Sequence, residues 1–355
     1  MIQQKKYFYN LEQFLSSQLQ SFQELNIYLK NLSNPNIQQG VQSLVSGLEK
    51  CTNLSNLLLD LYGNQIGTLN LGCGLAKCTN LSNLTLNLKY NQIGDQGASG
   101  LGYSLGNCNN LSNLTLDLSN NQICVDGASG LGFGLGQCIS LSNLTLDLSY
   151  NQIGAIGASG LASGLGQCIN LSYLTLHFYG NQIGDIGVIG LASGLEKCFN
   201  LSNLTLHLYN NQIGAIGASG LGSGLQRCTN LQNLALNLEE NQIGNQGVQG
   251  LGYCLEKCSN LSKLTLNLQK SHTNGEGLCE LGSSLGKCTN LSNLTLYFNC
   301  YQIGNKGILG LGQGLVQCAN LLNLRLYLNY ISSKSKQLKV MLIKSKRLVI
   351  YKIIA

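Results

Sequence analysis

The side chains with the most obvious chemistry recur in the middle of the chain at intervals of 30 residues: Asp117, Asp147, His177 and His207. Carboxylates and imidazoles serve as metal ligands and as general acids or bases. On neighbouring parallel strands, about 4.8 Å apart, Asp147, His177 and His207 would reach one metal ion. The alternative is a set of exposed polar side chains that bind a partner. The sequence favours this alternative, because nothing in it supplies an orienting group or an oxyanion hole for Ser149 to act as a nucleophile beside His177. We predict no metal site and no catalytic residue.

Ten of the 15 cysteines share one repeating position. They are Cys51, Cys78, Cys108, Cys138, Cys168, Cys198, Cys228, Cys258, Cys288 and Cys318. Free cysteine is a small, readily buried side chain, and the sequence has no C-x-x-C pair of the kind that binds zinc. Because the total is odd and the first ten residues lack the apolar segment of a signal peptide, disulfides are not favoured. We predict a ladder of buried, reduced thiols in an intracellular, cytoplasmic protein.

Glycine is the other abundant residue type, at 44 of 355 positions, whereas the chain has one proline and 10% charged residues. The low charge, together with 44% hydrophobic residues, argues against a disordered chain, and the single proline excludes collagen. Residues 130–134 (GLGFG) look like a nucleotide-binding loop, but the chain lacks both the G-x-G-x-x-G fingerprint and the Gly-Lys-Ser/Thr of a P-loop. The glycines therefore predict close packing, and we predict no cofactor.

A segment of about 30 residues repeats along most of the chain. Its leading leucine is found at Leu81, Leu111, Leu141, Leu171, Leu201, Leu231, Leu261, Leu291 and Leu321. In each copy leucines alternate with polar residues, as Leu84, Leu86 and Leu88 do, which predicts a strand with one buried face. An Asn-Gln-Ile-Gly turn follows, and then a short helix with apolar residues three or four apart. One such unit cannot bury its own apolar face, but stacked copies cover each other.

Residues 84–93 (L-x-L-x-L-x-x-N-x-I), followed by residues 97–105 (G-A-x-x-L-x-x-x-L), resemble the leucine-rich repeat. The helix motif and the length of the unit are similar to the ribonuclease-inhibitor-like subclass. The resemblance implies an α/β solenoid shaped like a horseshoe, with a parallel β-sheet on the concave face and short helices on the convex face. We count 12 candidate strands and 11 helix-like segments between them.

Positive charge is concentrated at the end of the chain. Residues 331–355 contain seven basic residues and no acidic one, a charge of +7, which leaves 14 basic and 15 acidic residues, or −1, for residues 1–330. A terminal repeat needs a polar outer surface, and the alternative is contact with an anionic membrane or nucleic acid. We predict an N-terminal cap or half-repeat over residues 1–21, the repeat array over residues 22–330 and a basic C-terminal capping repeat over residues 331–355. Membrane contact by that repeat is the lesser alternative, and we predict no nucleic-acid binding.

The core positions barely differ between copies, whereas the outward positions of the strands do. Variation confined to exposed polar and tyrosine positions predicts a protein-binding surface. The predicted binding residues are Asp117, Asp147, His177, His207, Tyr179, Tyr209, Glu239, Glu240 and Tyr297. We predict a monomeric, non-enzymatic scaffold that binds a protein partner through the concave sheet. The alternative is a regulator of a GTPase, suggested by a fold-level similarity to Ran GTPase-activating proteins.

Overall fold

The computed structural model describes residues 5–29, 32, 37–67, 71–299, 303–329 and 350–354. The chain divides into two compact units, Met1–Asn181 and Gln182–Ala355. Strands and helices alternate along both, and each unit is built from one layer of strands and one layer of helices.

In the first unit, the described strands form a parallel sheet in the order in which they occur in the chain. They are β1 (Lys6–Phe8), β2 (Glu24–Tyr28), β3 (Asn56–Asp60), β4 (Asn83–Asn87), β5 (Asn113–Asp117), β6 (Asn143–Asp147) and β7 (Tyr173–His177). Equivalent positions of the repeat lie directly side by side, so Leu114 is aligned with Leu84 on one side and with Leu144 on the other. This register puts the same repeat position of every strand in one row.

The second unit has the same arrangement. Its strands are parallel and again follow the chain order. They are β8 (Asn203–His207), β9 (Asn233–Asn237), β10 (Lys263–Asn267), β11 (Asn293–Asn299), β12 (Asn323–Asn329) and β13 (Ile350–Ile354).

The helices pack side by side along the other layer. In the first unit they are α1 (Leu11–Leu15), α2 (Ile37–Leu48), α3 (Leu71–Lys77), α4 (Gly94–Gly106), α5 (Val125–Leu135) and α6 (Gly154–Leu165). In the second unit they are α7 (Gly184–Leu195), α8 (Ala215–Leu225), α9 (Gly244–Leu255), α10 (Gly275–Leu285) and α11 (Gly304–Gln317). Leucines of both layers are buried against each other; in one repeat these are Leu114, Leu116, Leu131 and Leu135.

The predicted architecture of parallel strands alternating with helices is confirmed. The 12 predicted strands correspond to β2–β13, and β1 is a further strand, paired with β2, that the repeat pattern did not predict. Helices α2–α11 match ten of the 11 helix-like segments. The eleventh falls within residues 330–349, outside the described residues. The division at residues 21 and 330 remains a prediction, and most of the basic C-terminal segment lies outside the described residues as well.

A buried asparagine holds the turn after each of the strands β3–β9. Asn151 accepts hydrogen bonds at Oδ1 from the backbone N–H groups of Asn121 (3.0 Å) and Ile123 (2.9 Å), and its amide donates to the carbonyl oxygens of Leu118 (3.0 Å) and Leu148 (2.9 Å). Each such residue joins its own turn to the preceding repeat, as expected of an asparagine that satisfies backbone groups. The buried series is Asn64, Asn91, Asn121, Asn151, Asn181, Asn211 and Asn241.

Helices α4–α11 begin in two ways, depending on the repeat before them. Asp185 Oδ1 accepts a hydrogen bond from the backbone N–H of Gly214 (2.7 Å), and α8 then starts after an extended residue. Asp95 holds Cys124 before α5 in the same way (2.7 Å). Helix α6 follows a repeat without such a carboxylate, and its first residue, Gly154, has a φ of 61°. A neighbouring repeat thus supplies the N-terminal cap that the helix's own sequence lacks.

The predicted burial of the ten repeated cysteines is confirmed. Their thiols sit where a helix turns towards the next strand. In the described bonds each thiol donates to a carbonyl oxygen of its own helix, of the helix of the preceding repeat, or of both. Cys138 Sγ donates to the carbonyl oxygen of Leu105, and Cys168 Sγ donates to that of Leu135, both at 3.3 Å. Burial raises the pKa of both thiols to about 12. These thiols are therefore protonated packing groups at neutral pH.

Candidate functional site

The candidate site is the outer face of the sheet, meaning the side of the strands that points away from the helices. On β5, Leu114 and Leu116 point into the core, whereas Asn113, Thr115 and Asp117 on the other side are partly or fully exposed. The same alternation holds on the neighbouring strands β4 and β6. A two-residue period therefore separates core positions from surface positions on these strands.

In the first unit, the strand ends bring four polar side chains of the outer face into one row. Asp117 is the register partner of Asp147, and Asp147 that of His177; Asn87 lies beside Asp117 on the other side. Adjacent strands are about 4.8 Å apart, so these side chains are direct neighbours. The repeat spacing thus places Asp117, Asp147 and His177 together, as predicted.

The two carboxylates are held in place by the chain that follows them. Asp117 Oδ1 accepts hydrogen bonds from the backbone N–H (2.9 Å) and the hydroxyl (2.7 Å) of Ser119. Asp147 Oδ1 accepts one from the backbone N–H of Ser149 (2.8 Å). Ser149, considered above as a nucleophile, is buried. In the described part of the chain, no group of three or more His, Cys, Asp or Glu side chains is arranged to hold a metal ion.

Tyrosines line the edge of the first unit's sheet where the strands end. The rings of Tyr150 and Tyr179 meet edge to face, with 4.4 Å between their centroids. A side-chain hydrogen bond with Tyr179 raises the pKa of Tyr150, and burial and the neighbouring hydroxyls of Tyr179 and Tyr90 raise it further. Tyr179 was predicted as a site residue, whereas its partner Tyr150 was not.

In the second unit, the remaining predicted residues form two groups. Glu240 is hydrogen-bonded to Lys270 and to Tyr209, and these contacts, with that to Lys270 first, lower the pKa of its carboxyl group. Beside it, Glu239 Oε2 accepts a hydrogen bond from Asn267 Nδ2 (3.0 Å). Tyr209 and Glu240 therefore share one set of hydrogen bonds, and Glu239 has a separate partner beside them.

The second group is aromatic. Tyr297 stacks on Tyr327 of the next strand, with ring centroids 4.3 Å apart and planes 10° from parallel. His207 is on β8, where its register partner is Asn237 of β9. Tyr297 is on β11. Tyr327 was missed as a site residue, although its place in the repeat, equivalent to that of Tyr297, is visible in the sequence.

Comparison with known proteins gives these repeats a class. The family model described as "Leucine Rich repeat" matches residues 80–102, 140–162, 170–192 and 228–252. The first of these segments contains β4, the asparagine turn and part of α4. The chain therefore contains leucine-rich repeats, and its fold is that of a leucine-rich repeat solenoid. The ribonuclease-inhibitor-like subclass remains a prediction.

Solved structures to which the chain is similar include "Leiomodin-1 Actin-Binding Site 2 (ABS2)", at 14% sequence identity and a TM-score of 0.35, covering 45% of this chain and 88% of that one. Another is "Crystal structure of TLR13-ssRNA13 complex", at 18% identity and a TM-score of 0.44, covering 98% of this chain and 48% of that one. The chain thus spans about half the length of that second protein. No curated protein sequence matches the chain.

Among the described residues, no helix combines the length and the apolar character needed to cross a membrane.

Proposed function

We propose that the protein is a non-enzymatic interaction scaffold that binds a protein partner through the outer face of its sheet. The contrast between two sets of positions carries this proposal. The buried leucine, asparagine and cysteine positions are nearly identical from copy to copy, whereas the aligned outer row changes from Asn87 to Asp117, Asp147 and His177. A uniform scaffold with a varied exposed row suits recognition of one particular partner.

The chemistry of the outer face also supports this proposal. The proposed binding residues are Asp117, Asp147, His177 and Tyr179 in the first unit and His207, Tyr209, Glu239, Glu240 and Tyr297 in the second. Tyrosine combines an apolar ring with a hydrogen-bonding hydroxyl, and it is enriched among residues that dominate binding energy. The carboxylates next to it would give selectivity for a partner of complementary charge.

The test is a comparison of two triple variants. A partner is first recovered by proximity labelling and produced in purified form. We expect Tyr179→Ala, Tyr209→Ala and Glu239→Gln together to weaken its binding by about tenfold or more, because they remove central aromatic and charged groups. The affinity is measured by isothermal titration calorimetry, and circular dichroism checks that the variant is folded.

The control triple removes the same residue types from the helix layer: Tyr103→Ala, Tyr253→Ala and Glu280→Gln, all exposed there. We expect this variant to bind like the unaltered protein. Equal binding by both triple variants would refute the scaffold proposal. If the purified protein instead accelerates GTP hydrolysis by a GTPase that it captures, regulation of that enzyme is the better description.

A further inference from the structure

Two tyrosine pairs flank one repeat of the first unit at the carboxyl edge of its sheet. Tyr62 and Tyr90, which follow β3 and β4, meet edge to face with ring centroids 5.5 Å apart. Tyr150 and Tyr179, which follow β6 and β7, form the second pair at 4.4 Å. The repeat of β5 lies between the pairs, and it carries Ser119 and Asn120 in place of tyrosines. We call Tyr90, Ser119, Asn120 and Tyr150 the tyrosine notch.

The turn position that Tyr90 and Tyr150 occupy is left-handed in each described repeat from Gly63 to Lys270, so the repeat itself imposes this conformation. Tyr90 and Tyr150 have φ values of 54° and 56°, in the left-handed region that bulky side chains rarely adopt. The equivalent residues of neighbouring repeats are Asn120 and Gly180, which tolerate this conformation. The tyrosine side chains do not offset the strain by burial, because Tyr90 is 50% and Tyr150 is 53% exposed. Both tyrosine side chains therefore remain accessible to a partner.

The notch also holds an unsatisfied hydrogen-bond donor. Asn120 Nδ2 is buried without a hydrogen-bond partner, and in the described part of the chain it is the one buried side-chain nitrogen or oxygen in that state. A buried amide without a partner lowers the stability of the free protein. Because solvent does not reach this nitrogen, the Asn120 side chain must rotate outwards before it can donate to a carbonyl oxygen of a bound peptide.

The charge around the notch is negative. Asp117 and Asp147 lie in register just before Ser119 and Ser149, each fixed through one carboxylate oxygen. Strands β3–β7 contain no lysine or arginine. In the described turns that follow β3–β7, Lys89 is the one cation, and its Nζ lies 5.3 Å from the centroid of the Tyr90 ring. The ring face thus attracts an ammonium group, as expected for a cation–π contact.

From these observations we infer that the tyrosine notch binds a lysine or arginine side chain in an extended segment of the protein partner. Tyr90 and Tyr150 flank the cationic side chain, Asp117 and Asp147 attract its charge, and Asn120 donates to the partner's backbone. This inference rests on the proposed scaffold function and names the chemistry of the partner. A partner segment rich in acidic residues is excluded by the same charges.

The test uses three fluorescein-labelled ten-residue peptides with the same glycine and serine background. One carries lysine and arginine, one carries glutamate in their place, and one is uncharged. Fluorescence anisotropy is measured with the full-length protein at low and at physiological salt. We expect the cationic peptide to bind at least about tenfold more tightly than the acidic one, with the difference shrinking as salt screens the carboxylates.

Four variants then test the charges and the aromatic ring of the notch. We expect Asp117→Asn and Tyr150→Leu each to weaken binding of the cationic peptide about three- to tenfold. Tyr150→Phe keeps the ring and should bind within about twofold of the unaltered protein. Lys89→Met should tighten binding by about two- to fivefold, because it removes an ammonium group that competes for the Tyr90 ring. A merely structural role for these residues would not produce opposite effects from Asp117 and Lys89.

Asp126→Asn, on the exposed side of α5, serves as the matched charge control and should leave affinity unchanged. The inference is overturned if the cationic peptide does not bind at up to about 1 mM, or if Asp117→Asn and Lys89→Met leave its affinity unchanged. The notch inference can fail in this way while the scaffold proposal stands. This is the outcome if the outer-face triple variant still binds the purified partner more weakly and the helix-layer triple variant binds it normally.

Discussion

At the scale of single residues, the same side-chain type serves opposite purposes according to where the repeat places it. Asn151 is buried and uses its whole amide on backbone groups of two turns. Asn120, one residue before the equivalent position of its repeat, has a buried amide nitrogen that no group satisfies. A polar group inside a protein is tolerated when its hydrogen bonds are complete. The repeated asparagine is therefore structural, and the exception is the candidate for binding.

The structural role predicts a large loss of stability for Asn151→Ala. The substitution leaves the N–H groups of Asn121 and Ile123 and the carbonyl oxygens of Leu118 and Leu148 short of partners. Since one buried unsatisfied group costs roughly 1–3 kcal/mol, we expect the free energy of unfolding to fall by at least about 3 kcal/mol. Guanidinium denaturation followed by circular dichroism measures it. Thr115→Ala, exposed on the outer face, is the control and should change stability by less than about 0.5 kcal/mol. Equal losses from the two variants would contradict the structural role.

At the scale of elements, the glycines explain how the helices pack. Glycine lowers the intrinsic stability of a helix, so the sequence alone indicates that these glycines destabilise the helices. The structure shows what requires them: a Cβ added at Gly164 in α6 would overlap the carbonyl group of Gly132 in α5, and one added at Gly134 in α5 would overlap that of Gly102 in α4. Helices of adjacent repeats therefore approach until their backbones touch. Gly100, on the exposed side of α4, has open space around it instead.

This difference predicts opposite effects of one substitution at two sites. Gly164→Ala should lower the free energy of unfolding by about 1–3 kcal/mol, because the neighbouring backbone cannot yield without moving the helix. Gly100→Ala should raise the free energy of unfolding by about 0.5–1 kcal/mol, because alanine has a higher helix propensity than glycine and its methyl group has open space around it. Thermal unfolding of the two variants against the unaltered protein measures both. If both substitutions raise the melting temperature, close helix packing is not the reason for the glycines.

How far the sequence predicts the molecule also differs by element. Leucines two residues apart identify every strand from β2 to β12, because one buried face requires that period. Strand β1 is not predicted, because its three residues carry no copy of the repeat. The row containing Asp117 and Asp147 follows from a constant repeat length, which sets the register. The tyrosine notch could not be predicted: residue spacing does not reveal that Tyr90 and Tyr150 occupy left-handed conformations, nor towards which neighbour each ring leans.

At the scale of the whole molecule, each of the two units carries the same repeated buried thiol. Buried cysteines of the first unit, such as Cys138, and of the second, such as Cys258, have pKa values raised by burial to about 12 from an ordinary 9.0. Exposed Cys73 does not belong to this set. A thiol reagent at neutral pH should therefore modify the exposed cysteines of the folded protein and reach the repeated ones only on unfolding, since burial and protonation both block reaction.

The raised pKa values also fix how stability depends on pH. Below pH 9 both the folded and the unfolded chain keep these thiols protonated, so their contribution is fully present. Between pH 9 and about 12 the unfolded chain releases protons that the folded chain retains, so stability falls by about 1.4 kcal/mol per pH unit for each buried thiol. Tyrosines and lysines titrate in the same range, so the comparison is made between variants. Removing two thiols with Cys138→Ala and Cys168→Ala should make the alkaline decline of the unfolding free energy shallower by about 2.8 kcal/mol per pH unit, whereas Cys73→Ala should leave the slope as it is. Denaturant unfolding at a series of pH values measures these slopes. An unchanged slope in the double variant would show that folding does not raise the pKa of these two thiols.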